Sequence, residues 1–441
     1  MDCHQYVSEG VLPLGHRLTS SVGVGKASPC NLYDPLQSLR YKRSSMSTPP
    51  IDLVAALRPS AQQLLVSGII EVFNYGRTRE GLIPLWAGEG DAPTPPVIYE
   101  AAVKALQDGE TFYTHQLGIP ELREALAGYF QGLYDRPFVS DEFYVVGGGM
   151  QAIQLSMQMT AGQGDEVIII SPGWPNFEGA AVTQGAIAKF VELDFGPQGW
   201  ALDLDRLFAA CGPKTSAICI NSPSNPTGWT ASLDELKAIL EFTRKHGIWI
   251  IADEIYGRFH YGDGLAPSFQ TIREDDDRIL FVQTFSKNWA MTGWRMGWVQ
   301  GSKQLAQVVE NLVQYNTSGV AQFMQRAGIV ALQDGESFAK SQLEQARRGR
   351  EIICSALEPF NNVHFTWPDG AFYLFFGIEG QKDSMQTALQ LVDEANIGLA
   401  PGFAFGPGGE GNFRICYHRS EASLTEAMGR FTDWLRKQSG P

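Results

Sequence analysis

The chain has 441 residues and a formal net charge of −14. That length buries a large core and implies more than one domain, while that charge disfavours nucleic acid and anionic membranes as main partners. Six cysteines, at 3, 30, 211, 219, 354 and 416, show no metal-ligand or disulfide-framework spacing, and no apolar run reaches membrane-spanning length, so the expectation is a soluble, cytoplasmic protein with reduced thiols and no metal.

In chain order, residues 1–46 are rich in Ser, Gly and Pro with little apolar periodicity. They lack the continuous apolar core of a secretory signal and read as a disordered extension, with Met46 as an alternative start. From Ile51 to Tyr75, Leu64, Leu65, Ile69, Val72 and Phe73 recur at helical spacing, which predicts one amphipathic helix. The Gly- and Pro-rich stretch Leu85–Pro96 must be a loop. A helix is expected over Val97–Gln107, and Pro120 opens another.

The middle of the chain alternates short apolar runs with helical patterns. The runs are Tyr144–Val146, Val167–Ile170, Ala217–Ile220, Trp249–Ala252 and Ile279–Val282. Strands without polar alternation are buried on both faces, which predicts an α/β fold with a mostly parallel sheet covered by helices. Ser232–His246 reads as a crossover helix. After residue 335 a long charged helix, Glu336–Leu357, precedes Val363–Thr366, Ala371–Phe376 and Phe413–Tyr417, as in a smaller α+β domain. The expected division is 47–90 with 336–441 as the small domain and 91–335 as the large one.

Polar residues cluster just past the ends of these runs. Lys287 follows Ile279–Val282 within Thr284-Phe285-Ser286-Lys287, with Arg295 eight positions on. A lysine there, beside small hydroxyls and a planar cation, suits a Schiff base to a phosphorylated aldehyde such as pyridoxal phosphate (PLP). Gly147-Gly148-Gly149 opens a helix and lets backbone N–H groups approach a phosphate. It lacks P-loop and dinucleotide spacing. Trp174, in Ser171-Pro172-Gly173-Trp174, is placed to stack on a flat ring. In Asn225-Pro226-Thr227-Gly228 the proline holds Asn225 extended as a donor. Asp253, in Asp253-Glu254-Ile255-Tyr256, ends a buried strand, where a carboxylate needs a partner such as a protonated pyridine.

Taken singly, each motif also fits a turn, a solvated loop or a core aromatic. Taken together, and in this order, residues 85–420 resemble the class I/II aminotransferases of PLP fold type I. The resemblance rests on these motifs and on Asn412-Phe413-Arg414. It implies PLP held by Lys287, Asp253 at the ring nitrogen, and Asn225 and Tyr256 at the ring oxygen. Trp174 is implied against the ring, with Gly148, Gly149, Met150, Thr284, Ser286 and Arg295 around the phosphate. Arg414 is implied for the substrate α-carboxylate, and Gly88 for the loop that covers the substrate. Tyr113 resembles a residue that reaches the neighbouring subunit's phosphate, which implies a homodimer with sites at the subunit interface.

The implied reaction moves an amino group between an L-amino acid and a 2-oxo acid in two half-reactions. A PLP-dependent lyase or decarboxylase on the same fold, and a non-catalytic regulator, are the alternatives. No helix-turn-helix pattern supports the regulator. Met150 offers no cation for a second carboxylate, and Trp86, Trp174, Phe177 and Trp289 lie near the motifs. Together they predict a neutral, large or aromatic donor, unless Arg77, Arg79, His115 or a partner subunit supplies a cation.

Overall fold

The computed structural model describes residues 52–64 and 66–438. The extension at 1–46, Ile51 and Leu65 lie outside the described residues. Seven strands form the main sheet: β1 (Phe143–Val146), β2 (Glu166–Ser171), β3 (Ile187–Glu192), β4 (Thr215–Asn221), β5 (Trp249–Asp253), β6 (Ile279–Thr284) and β7 (Gly297–Gln300). Their spatial order is β1-β7-β6-β5-β4-β2-β3. Every pair from β6 to β3 is parallel, and β7 runs against both β1 and β6.

Residues along each central strand alternate between two cores. Val167, Ile169, Ala217, Cys219, Ile251, Leu280 and Val282 face one core. Ile168, Ile170, Ile218, Ile220, Ile250, Ile279 and Phe281 face the other, against Leu236, Ile239 and Leu240 of the helix Leu233–His246. Burial on both faces explains why these strands carry no polar alternation. The crossover helix is closed at its start by a capping box, in which Ser232 and Glu235 satisfy each other's backbone N–H groups.

This arrangement brings chemistry to one edge of the sheet. Asn221 at the end of β4 pairs in register with Asp253 at the end of β5. Gly297, which starts β7, pairs with Thr284 of β6 and Val146 of β1. Five loops therefore leave the sheet at the same level. They carry Gly147–Gly149, Trp174, Asn225, Tyr256 and Ser286–Arg295.

A second, antiparallel sheet is built from Val363–His364, Tyr373–Ile378, Asn412–Cys416 and Ala400–Pro401, in that spatial order. A parallel pairing of Ile83–Pro84 with Ile397–Gly398 ties the start of the described chain to its end. The helix Glu336–Leu357 has the expected bounds.

The expected single helix over Ile51–Tyr75 is instead two, Pro59–Gln62 and Gly68–Gly76. Ser67 is extended, and a Cβ on Gly68 would overlap the Phe403 ring. Phe403 therefore packs directly on the first residue of the second helix, where only glycine leaves room for its ring.

Candidate active site

The loops converge on a cavity of about 530 Å³ lined by Gly88, Gly149, Met150, Trp174, Asn225, Asp253, Tyr256, Thr284, Ser286, Lys287, Arg295 and Arg414. Its size is that of a small-molecule site. Twelve of the fourteen residues expected from sequence thus meet at one place; Gly148 and Tyr113 are the exceptions. Gly148 lies directly beneath Arg295, and Tyr113 is 92% exposed, outside the cavity lining.

Lys287 follows β6 with its side chain half-buried and its amine enclosed by protein. Its Nζ donates to the Gly88 carbonyl at 2.6 Å and sits 5.7 Å from the centre of the Tyr256 ring. Burial pulls its pKa down to about 8; Arg414 pulls the same way, and Cys416, Glu89 and Asp253 oppose. A buried ammonium loses hydration that no carboxylate here restores, so the neutral amine is within reach of ordinary pH.

Asp253 at the end of β5 is 1% exposed. Burial raises its pKa to about 7, against the Ile255 N–H at 3.3 Å and the charge of Lys287. A carboxyl so buried, with one long hydrogen bond, is short of a cationic partner.

The glycine turn is shaped for an anion. Gly148 has φ 87°, and a Cβ there would come within 2.7 Å of Arg295 Nη2. Only glycine allows the turn to pass beneath that guanidinium. Its N–H donates to the Val146 carbonyl, so Gly148 contributes shape rather than a donor. The helix Gly149–Thr160 starts without a side-chain cap, leaving its first N–H groups and its dipole for an incoming anion. Thr284 Oγ1 accepts from the Ser286 N–H at 3.1 Å and lies 2.9 Å from Ser286 Oγ. Thr284 therefore braces the turn that presents Ser286 and Lys287.

Arg414, on the strand Asn412–Cys416, reaches in from the second sheet and is 3% exposed. It donates to Asn225 Oδ1 at 2.8 Å and to the Trp86 carbonyl. Its plane lies 4.6 Å from the centre of the Tyr373 ring and 5.0 Å from that of Phe405. Its Nε has no partner among the described residues. A buried guanidinium with an unused N–H is ready for a carboxylate.

Two contributors were missed by sequence reasoning. Tyr373 shares a 2.7 Å hydrogen bond with Tyr256 through their hydroxyls, and burial pushes both hydroxyls well above their ordinary pKa. Asn221 accepts from the Asn225 N–H at 2.8 Å and donates to the Asp253 carbonyl at 3.0 Å, fixing one loop against the next. The available signal was a tyrosine hydroxyl inside an apolar run, which needs a partner once buried.

The expected aromatic walls need correction. Trp86 and Trp174 line the cavity. Phe177 is buried behind Trp174 in an edge-on contact at 5.9 Å, and Trp289 is buried against Phe285 and Tyr129 in another core. Proximity in sequence to a motif did not determine which way these rings face. Ile69, Ile70 and Tyr373 take their place. Among the described residues, Arg77, Arg79 and His115 are absent from the lining, and Arg79 pairs with Asp393.

The residues fit PLP on structural grounds. The glycine cradle, the uncapped helix and Arg295 suit a phosphate; the under-partnered Asp253 carboxyl suits a ring cation; and Lys287 suits an aldehyde.

Comparisons with known proteins agree. A family model described as aminotransferase class I and II matches residues 80–431. The aspartate aminotransferase of Thermotoga maritima is 33% identical over 81% of this chain and 93% of its own length. That of Pyrococcus horikoshii is 35% identical over 82% and 93%. The solved aromatic aminotransferase of Pyrococcus horikoshii superposes with a TM-score of 0.77 at 30% identity, covering 83% of this chain and 99% of that one.

Two outcomes follow from the geometry. In protein freed of bound aldehyde, trace acetylation of Lys287 followed by peptide mapping should show reactivity rising through about pH 8. Below that value the amine is charged and unreactive. An inflection near about 10.4, as for an exposed lysine, would contradict the burial argument. Separately, a Cβ on Gly88 would fall 2.5 Å from the Tyr373 hydroxyl. Gly88→Ala should therefore lower kcat/KM by about 10²-fold, with the melting temperature little changed; unaltered turnover would show that this approach is unimportant.

Proposed function

The chain belongs to the class I and II aminotransferases and transfers amino groups between amino acids and 2-oxo acids, and from that premise we propose a PLP-dependent enzyme selective for neutral, large or aromatic donors. When bound, PLP supplies an aldehyde that exchanges amino groups and a pyridine ring that draws charge from the substrate α-carbon.

In this reading Lys287 Nζ holds the cofactor at rest. Once released, it would carry the proton from the donor's α-carbon to the cofactor carbon that receives the amino group, and would run the reverse transfer for the acceptor. A pKa of about 8 suits both directions of that transfer. The Asp253 carboxylate keeps a proton at the ring nitrogen, and Tyr256 and Asn225 orient the ring oxygen. Trp174 covers the ring face. The glycine turn, Ser286, Thr284 and Arg295 hold the phosphate, with Met150 contributing through its backbone N–H. Arg414 clamps the α-carboxylate with its planar fork, while the loop at Gly88 excludes water.

The observation that carries the donor assignment is the lining. Among the described lining residues the cations are Lys287, Arg295 and Arg414, each with a role that every substrate shares. The rest of the wall is mostly apolar, with Ile69, Ile70, Met150, Trp86 and Trp174, and its polar members Ser67, Asn176 and Asn221 are uncharged. A second carboxylate there would be desolvated without a partner. The relatives are named for aspartate in some cases and for aromatic substrates in another, and this wall favours the latter.

We further infer a cytoplasmic homodimer in which Tyr113 reaches the partner's phosphate. Its 92% exposure beside an 81% exposed Phe112 supports that role. Residues 47–90 and 336–441 are proposed as the smaller domain against 91–335. The pairing of Ile83–Pro84 with Ile397–Gly398 supports it.

The test is kcat/KM for phenylalanine, methionine and aspartate with 2-oxoglutarate as acceptor. Phenylalanine or methionine should lead. A preference for aspartate of about tenfold, or 1.4 kcal/mol, would overturn the donor assignment.

A further inference from the structure

A second cavity of about 580 Å³ adjoins the first and shares Ser67, Met150, Pro175 and Asn176 with it. Its apolar walls are the partly exposed Leu64 and Val66 on one side, Val182 of the helix Asn176–Thr183 on another, and Phe403 and Pro407 on a third, interspersed with Gln63, Gln154 and Thr183. Gly179 stands in that helix, and a Cβ there would meet nothing within 4 Å. Among the described lining residues Glu178 is the sole charged group.

We propose that this cavity extends the donor subsite and takes the distal part of a long apolar side chain, an aryl or alkyl group several methylenes beyond the β-carbon. The inference rests on the neutral-donor reading above and sharpens it. The four shared residues form the wall between the two cavities, so the occupant is something anchored in the first cavity whose side chain passes Met150 and Asn176. Arg414 fixes the substrate's carboxylate and the cofactor aldehyde would take its amine, leaving the side chain as the part free to cross.

Met150 stands on the boundary, with its sulfur 3.2 Å from Asn176 Nδ2. An unbranched thioether with several rotatable bonds adapts to what passes beside it. Apolar walls reward each buried methylene with roughly fourfold tighter binding. Glu178, with no cation in the lining to offset it, disfavours an acidic terminus.

The experiment compares phenylalanine with its homologue lengthened by three methylenes, in the unaltered holoenzyme and in Gly179→Phe, which fills the second cavity. Val182→Trp serves as a second variant should the first fail to fold. Binding of the corresponding amine-free carboxylic acids is measured by calorimetry in parallel. The unaltered enzyme should use the long donor at least as well as phenylalanine. The filled variants should lose about tenfold or more in kcat/KM and in affinity for the long compounds, with phenylalanine nearly unaffected.

Equal losses for both donors would mean an access path or a packing surface and would overturn the proposal. So would no loss, or an unaltered enzyme that rejects the long donor. If phenylalanine itself is not turned over, the neutral-donor reading fails, and the calorimetric comparison still decides whether the second cavity holds a long chain.

Discussion

An amine and a carboxyl are buried together at the ends of neighbouring strands, and much of the remaining architecture serves to make that tolerable. In water Lys287 and Asp253 would be fully charged at neutral pH. Removed from water, their pKa values move toward each other, to about 8 and about 7. Desolvation drives both shifts, because the low-dielectric interior penalises whichever form carries charge. The same burial that makes the pair costly to fold makes each group able to gain and lose a proton near physiological pH. The parallel sheet provides the setting, since strand ends shielded on both faces can expose polar groups at one rim.

The second sheet completes the site by delivering Arg414 across the cavity. Its guanidinium bonds to Asn225 on one side and to the Trp86 carbonyl on another, between the rings of Tyr373 and Phe405. That single side chain joins the loop after β4 to the strand Asn412–Cys416 and to the segment before Gly88. Gly88 in turn accepts from Lys287 and leaves room for the Tyr373 hydroxyl. The groups that would bind a carboxylate, an aldehyde and a ring are therefore mechanically linked. A displacement at one is felt at the others.

Much of this was legible in the sequence, for identifiable reasons. Buried strands showed as uninterrupted apolar runs, and the polar residues immediately after them had to sit at a sheet rim. The edge strand β3 escaped notice because half of its residues are exposed and Lys189 and Glu192 interrupt the apolar run. The four-residue β7 was hidden between Arg295 and the next helix. Tyr373 was concealed in an apolar stretch that gave no hint of its partner across the cavity. Phe177 and Trp289 misled because nearness in sequence to a motif does not say which face of an element a ring occupies. The break between the helices falls beside Gly68, which packs on Phe403 more than three hundred positions away, a contact that local apolar spacing does not signal.

The central claim is that Lys287 is the amine that forms a covalent bond with the aldehyde cofactor. Borohydride reduction of the purified protein, followed by proteolysis and mass mapping, tests it most directly. The account predicts a single pyridoxyl-phosphate adduct, on Lys287, and no adduct in Lys287→Ala. An adduct on another lysine, or an unlabelled Lys287 in a protein that retains activity, would contradict it.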